Sequence, residues 1–168
     1  MSIPVEIERK YVIVMPDTDT LRSQSGYTVS EIEQTYIESA EHVTHRVRAR
    51  RYADRLVYTE TKKVRIDKMS AIEDEREISR AEYELAVSKK KTGTHTVRKT
   101  RHTFEHAGQI FEIDVYPEWV RTAVMETELE SRGQTVSMPD FIRIVAEVTG
   151  DKKYSNASMS QIFPDELM

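Results

Sequence analysis

The chain has 168 residues, enough for one domain with a sizeable core. Hydrophobic residues make up 38% and charged residues 32%; with 25 basic and 29 acidic groups the formal net charge is −4, which argues against a general nucleic-acid binder, normally basic. There is no cysteine, which excludes disulfides and thiolate metal sites and favours hard, oxygen-loving cations over zinc.

A first strand is predicted from about Ile3 to Val14. Within it, V-E-I-E-R-K-Y sets Glu6, Glu8 and Lys10 on one face at roughly 7 Å intervals, twice the rise per residue, with Val5, Ile7 and Tyr11 on the other and Arg9 as the exception. Such a row can hold a cation and an anion together; taken alone, it also reads as the wet face of a half-buried strand. Asp17 or Thr18 caps a short helix ending near Ser25 and Gly26. Glu31 to Ser39 alternates with neither face cleanly apolar. From Val43 to Ala53, Arg46, Arg48 and Arg50 share a face; like charges repel unless anions lie between them, and guanidinium suits bidentate phosphate or carboxylate contact. A solvated basic face is the plainer alternative.

Asp54 turns the chain into Arg55–Ile66, where Val57 and Thr59 oppose Tyr58, Glu60 and Lys62, and Asp67–Ser70 turns again. Ile72–Ile78 carries Glu73, Glu75 and Glu77 on one parity. Ser79 and Glu82 form a capping box for a helix over Ala81–Lys91, with Lys89–Lys91 in its last turn and Gly93 as its stop. Three strands follow: Thr94–His106 with Lys99 and Arg101 together, Ile110–Tyr116 with Phe111, Ile113 and Val115 opposite Glu112 and Asp114, and Ala123–Ser131 with Glu126 and Glu128 aligned. Pro139 opens a short helix, Arg143–Thr149 is a last strand, and a polar tail ends in a short helix or coil. The five histidines, His42, His45, His95, His102 and His106, read as surface or rim groups, and Trp119 as packing for a connection.

The charged rows are sorted by sign: acids at Glu6 and Glu8, Glu75 and Glu77, Glu112 and Asp114, Glu126 and Glu128; bases at Arg46–Arg50, Lys62, and Lys99 with Arg101. The expected fold is mainly β (α+β), an eight-stranded antiparallel closed barrel with a charged lumen and a few helices outside. Clustered buried carboxylates imply divalent cations, and clustered arginines a polyanion. A substrate with several phosphates bridged by Mg²⁺ or Mn²⁺ satisfies both.

The same residues resemble the CYTH domain, or triphosphate tunnel metalloenzyme family, in its compact bacterial form. E-I-E-R-K at Glu6–Lys10 is similar to that family's E-x-E-x-K signature. In order follow R-V-R-A-R at Arg46–Arg50, T-K at Lys62, E-x-E-I at Glu75–Ile78, K-T-R at Lys99–Arg101, F-E-I-D-V at Phe111–Val115, E-T-E at Glu126–Glu128 and V-T-x-D-K-x-Y-x-N at Val148–Asn156. The resemblance implies a single tunnel domain over residues 1–168 that hydrolyses inorganic tripolyphosphate or a nucleoside triphosphate with two metal ions. Class IV adenylyl cyclase activity and a non-catalytic polyphosphate module are the alternatives.

Carried over, Glu6, Glu8, Asp114, Glu126 and Glu128 hold metal, with Glu75 and Glu77 as further lumen acids. Lys10, Arg46, Arg48, Lys62, Lys99, Arg101 and Lys153 grip phosphates, Lys10, Lys62 and Lys99 are the catalytic lysines, and Tyr36 is a tunnel tyrosine. Glu73 departs from the family pattern, which often has arginine there. No apolar run is long enough to span a membrane and no signal peptide is evident, so a cytoplasmic monomer or homodimer acting on a small molecule is expected.

Overall fold

The computed structural model describes residues 5–168, so the expected strand start at Ile3 lies outside the described residues. The strands are β1 (Val5–Val14), β2 (Ser25–Ile37), β3 (Val43–Arg51), β4 (Leu56–Arg65), β5 (Ser70–Ile78), β6 (Val97–His106), β7 (Gln109–Val115), β8 (Thr122–Glu128) and β9 (Ile144–Glu147). The helices are α1 (Thr18–Arg22), α2 (Arg80–Ser88) and α3 (Asn156–Met159), the last preceded by a 3-10 turn at Lys152–Tyr154.

The sheet runs β5-β4-β3-β2-β6-β7-β8-β1-β9, and a further pairing of β5 with β1 closes its first eight members into an antiparallel ring. One edge of β1 is shared. Val5–Ile7 pair with β5, and Tyr11–Ile13 pair with β9. Arg9, the outward exception, ties this edge to β9 through its Nε, 3.3 Å from Glu147.

Alternation along β1 explains where the core sits. The inward parity runs Glu6, Glu8, Lys10 and then Val12, so the lumen is charged over one part of its length and apolar over the rest. At the apolar end Val12, Val124, Tyr116, Trp119, Tyr154 and Met159 pack together and plug the ring. Trp119 Nε1 donates to the Pro164 carbonyl at 2.9 Å, which fits its expected packing role. The outward parity gives a second cluster of Tyr11, Ile13, Phe104, Phe111, Ile113 and Met125, covered by Leu21 of α1 and by residues 136–142. Each fully buried side chain of this size contributes about 1.5–3 kcal/mol.

Several boundaries differ from expectation. β2 starts at Ser25, well before Glu31, because Gly26 at φ +65° allows an irregular register between Ser25 and Thr28. The capping box of α2 is present, Ser79 and Glu82 bonding reciprocally, but the helix ends at Ser88. Lys90 bridges to Ile37 and the Lys91 N–H donates to the Tyr36 carbonyl, so the lysine run leaves the helix for the edge of β2. Pro139 opens a turn rather than a helix, closed by the Ile142 N–H on its carbonyl at 3.1 Å. Among the described residues no helix is long and apolar enough to cross a membrane.

Candidate functional site

The charged part of the lumen is a cavity of about 950 Å³. Its acidic wall comes from three neighbouring strands: Glu6 and Glu8 of β1, Glu126 and Glu128 of β8, and Glu112 of β7. Register brings them together, since Glu8 faces Glu128, Lys10 faces Glu126 and Glu126 faces Glu112. Arg46, Arg48 and Arg50 of β3 supply a basic wall, continued by Arg101 of β6 and by Lys63 and Arg65 of β4. Tyr36, Glu73 and Glu75 also line it, and residues 155–158, including part of α3, cross one end.

The partners of Arg48, Arg46, Lys10 and Arg101 show what each has left to offer. Arg48 Nε and Nη2 donate to Gln34 Oε1 at 3.2 and 2.9 Å, and Gln34 in turn donates to the Tyr36 hydroxyl at 3.1 Å. Gln34 therefore aims Arg48 without neutralising it. Arg46 Nη2 reaches Glu73 at 3.3 Å, while Arg46 Nε is buried with no hydrogen-bond partner. A buried, unpartnered guanidinium N–H is costly unless an acceptor arrives. Lys10 Nζ lies 3.2 Å from Glu126 Oε1 and donates to the Tyr154 carbonyl at 3.3 Å. Arg101 donates to Glu112 at 2.9 Å and, by two nitrogens, to Asp114 at 2.7 and 2.8 Å.

The electrostatics divide the acids. Burial, a hydrogen bond to Glu73 and the charges of Glu73 and Glu128 push Glu6 up to about 8. The charge of Glu126, with burial second, pushes Glu8 up to about 7. Burial acts upward on Glu126 as well, but Lys10 and Arg101 outweigh it and hold that carboxyl at about 2. Among the bases, burial beside Arg46 and Arg101 drives Arg48 down to about 9. Glu6 and Glu8 on one wall and Arg48 on the other are thus short of counter-charge, which is the state that added cations and an added polyanion relieve.

Of the residues expected at the site, Lys10, Arg46, Arg48, Arg101, Glu6, Glu8, Glu126, Glu128, Glu75 and Tyr36 line this one cavity. Lys99 and Asp114 do not. They lie buried behind its wall, Lys99 Nζ on Asp114 Oδ2 at 2.7 Å, and Lys99 with Arg101 occupies both carboxylate oxygens. Asp114 is thus a brace for Arg101 rather than an open ligand, and Lys99 has no exposed nitrogen with which to touch a substrate.

Lys62 is exposed and sits opposite His45 on the outer face, while Lys63, opposite Glu73, points inward. Glu77 is exposed, away from the cavity lining, and Lys153 leans over the Tyr154 ring while Lys152 reaches the lumen. Lys63, Arg65, Lys152 and Gln34 are not among the expected site residues, whereas Glu112, expected as part of a lumen acid row, lines the cavity; alternation from Thr59 and Thr61 is the signal that points to Lys63 and Arg65. Two histidines also differ from expectation: His102 is buried, its Nδ1 2.8 Å from the Tyr27 hydroxyl, and His45 is half-buried at 2.7 Å from Glu60.

The donor set can be tested against Mg²⁺ or Mn²⁺. Every acidic group on the wall is a carboxylate, and among the described residues no three His, Asp or Glu side chains converge as a ready cage. The carboxylate oxygens are the hard donors that Mg²⁺ or Mn²⁺ takes.

No family model matches the chain, and no curated protein matches it either. Solved structures do share its fold. The inorganic triphosphatase NE1496 is 25% identical, with a TM-score of 0.58 over 95% of this chain and 97% of that one. A conserved hypothetical protein from Pyrococcus furiosus is 22% identical, with a TM-score of 0.58 over 76% of this chain and 80% of that one. A putative adenylate cyclase from Bacillus halodurans is 17% identical, with a TM-score of 0.50 over 75% and 81%; these last two show likeness of fold alone.

Proposed function

We propose that the chain is a metal-dependent triphosphatase of the CYTH, or triphosphate tunnel metalloenzyme, family, a single tunnel domain acting on a small-molecule triphosphate in the cytoplasm. The observation that carries this reading is one cavity in which Arg46, Arg48 and Arg101 face Glu6, Glu8 and Glu126, with Arg46 Nε buried and awaiting an acceptor. The likeness to an inorganic triphosphatase over nearly the full length of both chains supports it.

Phosphoryl transfer to water leaves little covalent work for the protein; catalysis is positioning and electrostatic stabilisation of a loose transition state. Arg46, Arg48, Arg101 and Lys10 bind and orient the phosphates. Gln34 and Asp114 fix two of those groups, so their reorganisation during reaction is small. Glu6, Glu8, Glu126 and Glu128 are the residues to hold Mg²⁺ or Mn²⁺. Held by these carboxylates, a divalent cation would supply Lewis-acid stabilisation of phosphate charge and would lower the pKa of water. Tyr154, Trp119 and Met159 pack one end of the lumen and keep bulk water from that side.

The test is phosphate release from tripolyphosphate, ATP, GTP and thiamine triphosphate, each with Mg²⁺, Mn²⁺ or chelator. Metal-dependent orthophosphate release from at least one is expected. Cyclic AMP and pyrophosphate from ATP identify a cyclase instead, and tight metal-aided binding without turnover identifies a binding module.

A further inference from the structure

Along β3 the inward positions run Arg46, Arg48 and Arg50, and the same alternation places Tyr52 next, where the chain turns into β4. The Tyr52 N–H donates to the Arg55 carbonyl at 2.8 Å, so the strand pairing extends through this residue. At about 3.3 Å per residue, the row from Arg46 to Tyr52 spans roughly 20 Å. Arg50 lines the cavity and its Nε donates to Ser30 Oγ at 2.9 Å. Its guanidinium carbon stands 4.9 Å from the Tyr52 ring centroid, so the ring lies one side chain beyond the cavity lining.

A second guanidinium, that of Arg55, lies 4.0 Å from the same centroid. Among the described residues its one ion pair is with Asp54 at 3.2 Å, between exposed side chains. Exposed pairs of this kind contribute little, so Arg55 is readily displaced. The flat, delocalised cation now on Tyr52 marks a surface suited to a flat aromatic group, and every nucleobase has a π face for such stacking. An inorganic triphosphate held at Arg46 and Arg48 has nothing to place beyond Arg50, whereas a nucleotide has its sugar and base.

Resting on the triphosphatase reading above, we propose that Tyr52 is the stacking platform for the base of a nucleoside triphosphate, the base taking the place of the Arg55 guanidinium. Two non-hydrolysable imido analogues, one of ATP and one of inorganic triphosphate, are titrated calorimetrically with Mg²⁺ into wild type, Tyr52→Ala and Tyr52→Phe. Tyr52→Ala is expected to weaken the ATP analogue roughly tenfold more than the inorganic one, and Tyr52→Phe, which keeps the ring, to stay within about twofold of wild type.

Equal weakening of both analogues by Tyr52→Ala, or no weakening of either, overturns the platform while leaving the triphosphatase reading in place. Failure of wild type to bind either analogue overturns that reading itself, and the platform with it.

Discussion

Asp114→Asn separates a brace from a metal ligand. The side chains of Asp114 and Lys99 are 1% and 0% exposed, so the substitution leaves Lys99 without its anion and takes two charge-assisted bonds from Arg101. Breaking a buried pair by removing one partner costs about 3–5 kcal/mol. Lys99 is already pushed down to about 7 by burial, with Arg101 and Arg48 beside it and Asp114 alone of its carboxylate neighbours in direct contact. Without that anion its pKa falls further, and the buried ammonium is held less well. Urea unfolding monitored by circular dichroism is expected to show that loss, with a fall in Tm on the order of 10 °C for a chain of this size. Lys99→Met costs less, because Asp114 keeps Arg101. An Asp114→Asn protein of wild-type stability with abolished Mn²⁺ binding refutes the argument and restores Asp114 as a ligand.

Other outcomes follow from the same geometry. Arg46→Met removes the guanidinium with the unpartnered N–H, and kcat/KM for the preferred triphosphate is expected to fall roughly 10- to 100-fold with little change in Tm; steady-state phosphate release measures it. Glu6 and Glu8 bind protons more tightly folded than unfolded, so without divalent cation stability declines as pH rises from about 4.5 towards 7, and Mg²⁺ flattens the decline. Thermal melts across that range, with and without Mg²⁺, test the sign; above about 7, Lys99 acts in the opposite direction because its folded form has lost a proton the unfolded chain keeps. Gly150 sits at φ +74°, and a Cβ there meets Lys68 Cβ at 2.6 Å and its Cα at 2.9 Å. Gly150→Ala is therefore expected to cost on the order of 2 kcal/mol in urea unfolding.

How much of this was legible in the sequence depends on what alternation reports. Period-two patterning gives the face of a residue, and for Glu6, Glu8, Lys10, Arg46, Arg48, Glu126 and Glu128 the face was enough. It gives neither depth nor register. Asp114 shares the inward parity of Glu112 but lies further along the lumen, where it meets Lys99 and Arg101 instead of the cavity. The doublet Lys62–Lys63 satisfies a lysine motif with either residue; alternation from Thr59 and Thr61 favours Lys63, and its pairing with Thr44 and Glu73 shows that it points in.

The doublet Lys152–Lys153 poses the same ambiguity in a 3-10 turn, where strand parity has no meaning. Glu73, where the resembled family often has arginine, shares a hydrogen bond with Glu6 and holds Arg46, linking the acidic and basic walls. The closing of the ring through three residue pairs between β1 and β5 is a long-range event that local patterning does not encode.

The most direct measurement is a crystal structure with Mn²⁺ and the imido analogue of inorganic triphosphate, with the metal located by anomalous scattering. Manganese peaks among Glu6, Glu8, Glu126 and Glu128, with phosphate oxygens on Arg46, Arg48 and Arg101, are the predicted result. Manganese and analogue bound outside the ring, with the lumen holding only water, contradict it.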